Sequence, residues 1–153
     1  MEYTIDNYFK LLKHSNELRR NKKSLYNEEP ELFSELLNFS ANIETNFSYV
    51  ERKEYIEIAK DFLDDKMTSE DFCYAFQAIY EGVCKAILKM EREESKELID
   101  LLTPDRSDLG QLLAYVAGTC ESYSPDPEVN YFNIDEKELK ECARKLLLEL
   151  GKE

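Results

Sequence analysis

At 153 residues the chain has the length of one domain, and a 42% hydrophobic fraction is enough to bury a core, which excludes wholesale disorder. Four glycines and four prolines are too few for the many tight turns of an all-β fold. A net charge of −13, from 33 acidic against 20 basic residues, disfavours phosphate backbones and anionic membrane surfaces as direct partners and favours a basic protein.

The first segment, about 4–22, places Ile5, Tyr8, Phe9, Leu11, Leu12 and Leu18 on a helical stripe with a basic end. Asn27 is the expected cap of a second helix, with Pro30 in its first turn among Glu28, Glu29 and Glu31. Its apolar face is Leu32, Phe33, Leu36, Leu37 and Phe39, with Ile43 further on. A third helix is expected over about 49–65, through Val50, Tyr55, Ile58, Ala59, Phe62 and Leu63.

The sharpest boundary falls at Asp65–Thr68. Thr68 followed by Ser69, Glu70 and Asp71 has the chemistry of a helix cap with an acidic first turn, and Met67 is placed to staple onto Phe72. The helix it opens, about 69–91, is predicted to bury Phe72, Cys73, Phe76, Ile79, Tyr80, Val83, Ile87 and Leu88. A short helix is expected at 94–102. Thr103 and Pro104 then read as cap and first residue of a helix to about 122. Residues 123–134 carry two prolines and cannot stay helical. Asp135 caps a last helix, about 136–150, with Leu139, Cys142, Ala143, Leu146, Leu147 and Leu150 inward.

No segment alternates with period two, so the expected fold is all-α, an antiparallel four-helix-type bundle with additional N-terminal helices. Charge divides it. Residues 1–26 hold six bases and three acids, whereas the remainder holds 14 bases and 30 acids. Residues 1–48 therefore read as a helical extension with a basic first segment, and 49–153 as an acidic helical bundle.

The chain carries little recognisable chemistry. The acids Asp61, Asp64 and Asp65 lack a calcium-loop pattern, and no Glu-x-x-His occurs. Four scattered cysteines and one histidine lack zinc spacing, so no metal and no cofactor is expected. Cys73 and Cys84 are eleven residues apart and read as packed core thiols. A cysteine nucleophile needs a nearby base, and His14 is remote in sequence; no phosphate-cradling glycine motif occurs either. The expectation is a protein that is not an enzyme. No apolar run is long enough for a membrane span and no secretory leader is evident, which points to a cytoplasmic protein with reduced thiols.

Two blocks of the chain fit together. One contains Ala59, Lys60, Phe62 and Leu63, then a short turn into Asp71–Phe72. The other contains Tyr123, Pro125 and Asp126, then Tyr131 or Phe132, Ile134 and Asp135. In that order, over about 55–150, they resemble the colicin D immunity protein family of small bacterial colicin-like immunity proteins. The resemblance implies a four-helix antiparallel bundle that inhibits a nuclease toxin domain cutting tRNA, by covering its basic active site with carboxylates. It directs attention to two acidic groups. Asp64, Asp65, Glu70 and Asp71 surround the turn before residue 69, and Glu121, Asp126, Glu128 and Asp135 surround the Pro-Asp loop, with Tyr123 and Tyr131 as apolar anchors. The partner implied is a basic nuclease toxin domain. The alternative from the residues alone is an acidic helical adaptor or regulatory protein.

Overall fold

The computed structural model describes residues 2–151, so residue 1 and residues 152–153, the outer ends of the two expected units, lie outside the described range. Seven α-helices and one 3-10 helix occupy the described residues, with no strand among them, and the fold is all-α. In chain order they are α1 (Ile5–Arg20), α2 (Leu25–Glu28), α3 (Pro30–Val50), α4 (Arg52–Leu63), α5 (Ser69–Arg92), the 3-10 helix Lys96–Leu101, α6 (Ser107–Ser122) and α7 (Glu136–Leu150).

Local chemistry sets most of these boundaries. Thr68 and Asp71 form a capping box at α5: the Thr68 hydroxyl accepts the Asp71 N–H at 3.1 Å and the Asp71 carboxylate accepts the Thr68 N–H at 3.4 Å. Asp135 caps α7, accepting the Glu138 N–H at 2.8 Å. The chain turns out of α4 without a glycine. Asp65 takes the left-handed conformation (φ 58°), the Lys66 N–H returns to the Asp61 carbonyl and the Asp65 N–H to the Phe62 carbonyl. This Schellman turn recurs at Lys22 after α1 and at Glu94 after α5.

Three boundaries differ from the sequence reading. Ser24, not Asn27, is the cap that matters: its Oγ accepts the Asn27 N–H and opens the one-turn α2. Pro30 keeps Glu29 out of the helical region (φ −143°, ψ 74°), so α3 starts afresh at residue 30 with no side-chain cap. Second, α3 continues to Val50, and α4 begins only at Arg52. Third, α6 opens at Ser107 rather than at Pro104. The reason is tertiary. The Asn46 amide donates to the carbonyls of Leu101 (2.8 Å) and Pro104 (2.9 Å), so the Pro104 carbonyl is engaged across the fold instead of within a helix.

Packing yields two cores. The first joins α4, the first half of α5, α6 and α7 through Tyr55, Phe62, Phe72, Phe76, Leu113, Val116, Leu139 and Leu146. Phe62 and Phe72 stack with ring centroids 4.6 Å apart. Leu63 and Ile79, read from sequence as core, lie half-buried at its edge. The second core joins α1, α3, the second half of α5 and the 3-10 helix through Tyr8, Leu11, Phe39, Ile43, Val83, Ile87 and Leu98. The sequence division at residue 48 falls inside α3, and α5 contributes to both cores.

Candidate functional site

The turn after α4 and the first turns of α7 meet, and the loop before α7 adjoins them. Lys140, on α7, reaches back over the end of α4: its ammonium donates to Asp65 at 2.6 Å and to the Phe62 carbonyl, and sits 4.3 Å from the centroid of the Phe62 ring. A shallow cleft there is lined by Leu63, Asp65, Glu136, Lys137, Lys140 and Arg144. Glu136 also borders the adjoining cleft formed by Tyr123, Pro125, Asn130 and Asp135. Of the two acidic groups expected from sequence, Asp65 borders the first cleft and Asp135 the adjoining one, and the basic side chains Lys137, Lys140 and Arg144 line the first. This surface is of mixed charge rather than uniformly negative.

The individual acids have different tasks. Asp71 and Asp135 are occupied as caps. Asp126 organises the loop: its carboxylate accepts the Glu128 N–H at 3.0 Å, and its carbonyl accepts from Val129 and Asn130. Asp65 is paired with Lys140. Asp64, Glu70, Glu121 and Glu128 are exposed. Tyr123 ends α6 half-buried and packs against the first core.

The loop itself is clamped. The Asn130 side chain both donates to the Ile134 carbonyl (2.7 Å) and accepts the Ile134 N–H (3.0 Å). Ile134 is buried in the first core, which anchors the clamp from below. Closing residues 130 and 134 onto each other forces 131–133 outward, with Asn133 in the left-handed conformation (φ 52°). Tyr131 and Phe132 thus stand 80% and 75% exposed, side by side, on a rigid tip. Other large apolar side chains, Tyr74 and Leu148 among them, are also exposed; Tyr131 and Phe132 differ in being adjacent and carried on a clamped loop.

Phe132 and Lys140 were not foreseen among the site residues. The Tyr-Phe pair in a proline-rich loop was a usable signal for Phe132. Lys140 gave none, because the atoms it meets lie 75 and 78 residues earlier in the chain.

Other titratable groups are structural in their surroundings. Cys73, Cys120 and Cys142 are free buried thiols of the first core. The Cys120 thiol is pushed up by its hydrogen bond with Cys73 and by burial, and burial pushes Cys142 up to about 11, so neither is primed as a thiolate. His14 pairs with Glu29. Among the described residues no group of three or more His, Cys, Asp or Glu side chains is placed to hold a metal ion, and no helix is long and apolar enough to cross a membrane.

Comparison with protein-family models, curated proteins and solved structures finds no match to this chain.

Proposed function

We propose that the chain is a non-enzymatic immunity-type protein, one that neutralises a basic tRNase-like toxin domain by laying the end formed by the α4–α5 turn and the α6–α7 loop over the toxin's active site. The observation that carries this reading is the clamped loop tip. Tyr131 and Phe132 are held in a fixed geometry, exposed, and flanked by Asp126, Glu128 and Asp135. A rigid aromatic pair loses little entropy on binding and has the character of an interface anchor. The surrounding carboxylates, on a chain of net charge −13, speed encounter with a basic protein and disfavour acidic ones.

The test is co-expression with a colicin-D-type tRNase domain, together with measurement of binding between the purified proteins. The unaltered chain is expected to protect the cells. The double variant Tyr131→Ala/Phe132→Ala should fold normally and bind about 30-fold more weakly or worse, the loss typical of interface anchors. Glu128→Lys should reduce the association rate at low salt, and the reduction should shrink as salt rises. Glu128 is a cleaner choice than Asp126, whose carboxylate holds the turn. Failure of the unaltered chain to bind or protect would remove the immunity reading and leave an adaptor role for the same loop tip.

A further inference from the structure

A second concave feature lies well apart in chemistry from the loop tip. Between α3, α6 and the 102–107 segment there is a cleft of about 590 Å³, within the range of small-molecule sites. Leu102, Leu113 and Tyr80 give it apolar walls. Two carboxylates, Glu44 and Asp105, border it, and among the described residues no lysine, arginine or histidine does.

The cleft is braced from outside. Asn46 fastens the 101–104 segment to α3 through two hydrogen bonds. Arg106 lies flat on Tyr49, its guanidinium 3.6 Å from the ring centroid. Gly110 on α6 faces Thr45 on α3 so closely that a Cβ at 110 would sit 2.7 Å from the Thr45 hydroxyl. These contacts fix the separation of the walls without a ligand.

Inside, polar capacity is left over. Ser48 lies behind the cleft wall, fully buried, with its hydroxyl facing the buried Tyr55 hydroxyl. Glu44 has no ion-pair partner among the described residues. The groups facing it are Tyr8 from α1 and Tyr80, Cys84 and Glu91 from α5, none of them cationic. Burial and the nearby Glu91 push its carboxyl above the ordinary carboxylate value.

We propose that this cleft binds a small organic cation, an amine on an apolar body, with Glu44 as its counter-ion. An anion would meet two carboxylates and no compensating base. A neutral ligand would fill the walls but leave Glu44 uncompensated. An ammonium on an aryl or alkyl body satisfies both parts of the lining.

The experiment is calorimetric or ligand-observed NMR titration of the full chain with three probes of one shape: phenethylamine, 2-phenylethanol and 3-phenylpropionate. The amine is expected to bind about tenfold or more tightly than the alcohol, the margin of a charge-assisted hydrogen bond, and the carboxylate not measurably. Glu44→Gln should erase the preference of amine over alcohol. Ala114→Trp, at an exposed position bordering the cleft, should block all binding while leaving both cores intact. Equal binding of amine and alcohol, a preference that survives Glu44→Gln, amine binding unaffected by Ala114→Trp, or no binding of the amine at millimolar concentration would each overturn the assignment.

Discussion

The two cores share α5 yet differ in what they bury. The first is built from stacked aromatics, aliphatic side chains and three cysteines: Phe62 on Phe72, Tyr55 against Phe76, Leu139 and Leu146 beneath. The second puts its aromatics next to ionisable oxygen. Tyr8, wholly buried, donates its hydroxyl to Glu91, and Glu44 stands close to both. Burial and the Glu91 contact push the Tyr8 hydroxyl upward. The lesson is a division of labour within one fold. The first core contributes stability through apolar area and packing. The first core also buries one phenol, Tyr55, whose hydroxyl faces Ser48, whereas the second gathers Tyr8, Glu91 and Glu44 with no cation among them, an arrangement that lowers stability.

The largest effect that can test this contrast is cavity formation. Phe76→Ala should destabilise by about 3–5 kcal/mol, read from the chemical-denaturation midpoint. Phe39→Ala in the second core should cost a similar amount. Because α5 belongs to both cores, each variant should still unfold in a single transition. A separate early transition in Phe39→Ala would break the comparison and make the cores independent units.

A smaller effect is expected at the capping box. Thr68→Ala removes the acceptor for the Asp71 N–H and should cost about 1 kcal/mol by thermal or chemical denaturation. The third test concerns Glu44. Its folded-state pKa lies above the 4.5 of the free side chain, so the folded chain holds a proton that the unfolded chain has released between those values. Its contribution to stability is complete below pH 4.5 and is lost as pH rises through the folded value. Glu44→Gln should therefore raise the melting temperature at pH 7, and the difference should vanish below pH 4.5. A lower melting temperature at pH 7 would mean that the ionised carboxylate is compensated. The smallest effect is at Lys22, left-handed at φ 58° after α1. Lys22→Gly should stabilise by about 0.5–1 kcal/mol, because glycine adopts that conformation without the Cβ clash.

What was legible in the sequence was local. Thr68 with Asp71, and Asp135 before a leucine-rich stretch, announce α5 and α7 through chemistry contained within a few residues. The boundaries that differed were settled by distant groups. Asn46 holds the Pro104 carbonyl 58 positions along the chain, so the cap expected at Thr103 does not form. The tail of α3 carries no apolar stripe to announce it, because Thr45, Asn46 and Ser48 are polar, yet all three are buried by tertiary packing. For the candidate site, composition and the Pro-Asp loop pointed to the acids and Tyr131. Their proximity, and the lysine set among them, depend on how α4 lies against α7. In the α3–α6 cleft Glu44 stands on α3 and Asp105 in the 102–107 segment, and their meeting depends on how those two segments pack, which no local spacing announces.

The continuity of α5 sets where the chain can be cut. A fragment beginning at residue 49 would retain every helix of the first core, yet it would strip Tyr8, Leu11, Phe39 and Ile43 from the far half of α5. Val83, Ile87 and Met90 would then face water along one side of an otherwise folded rod. Such a fragment should remain helical but self-associate or precipitate, the behaviour of an apolar stripe that has lost its cover. Size-exclusion chromatography of residues 49–153 beside the full chain would report it directly.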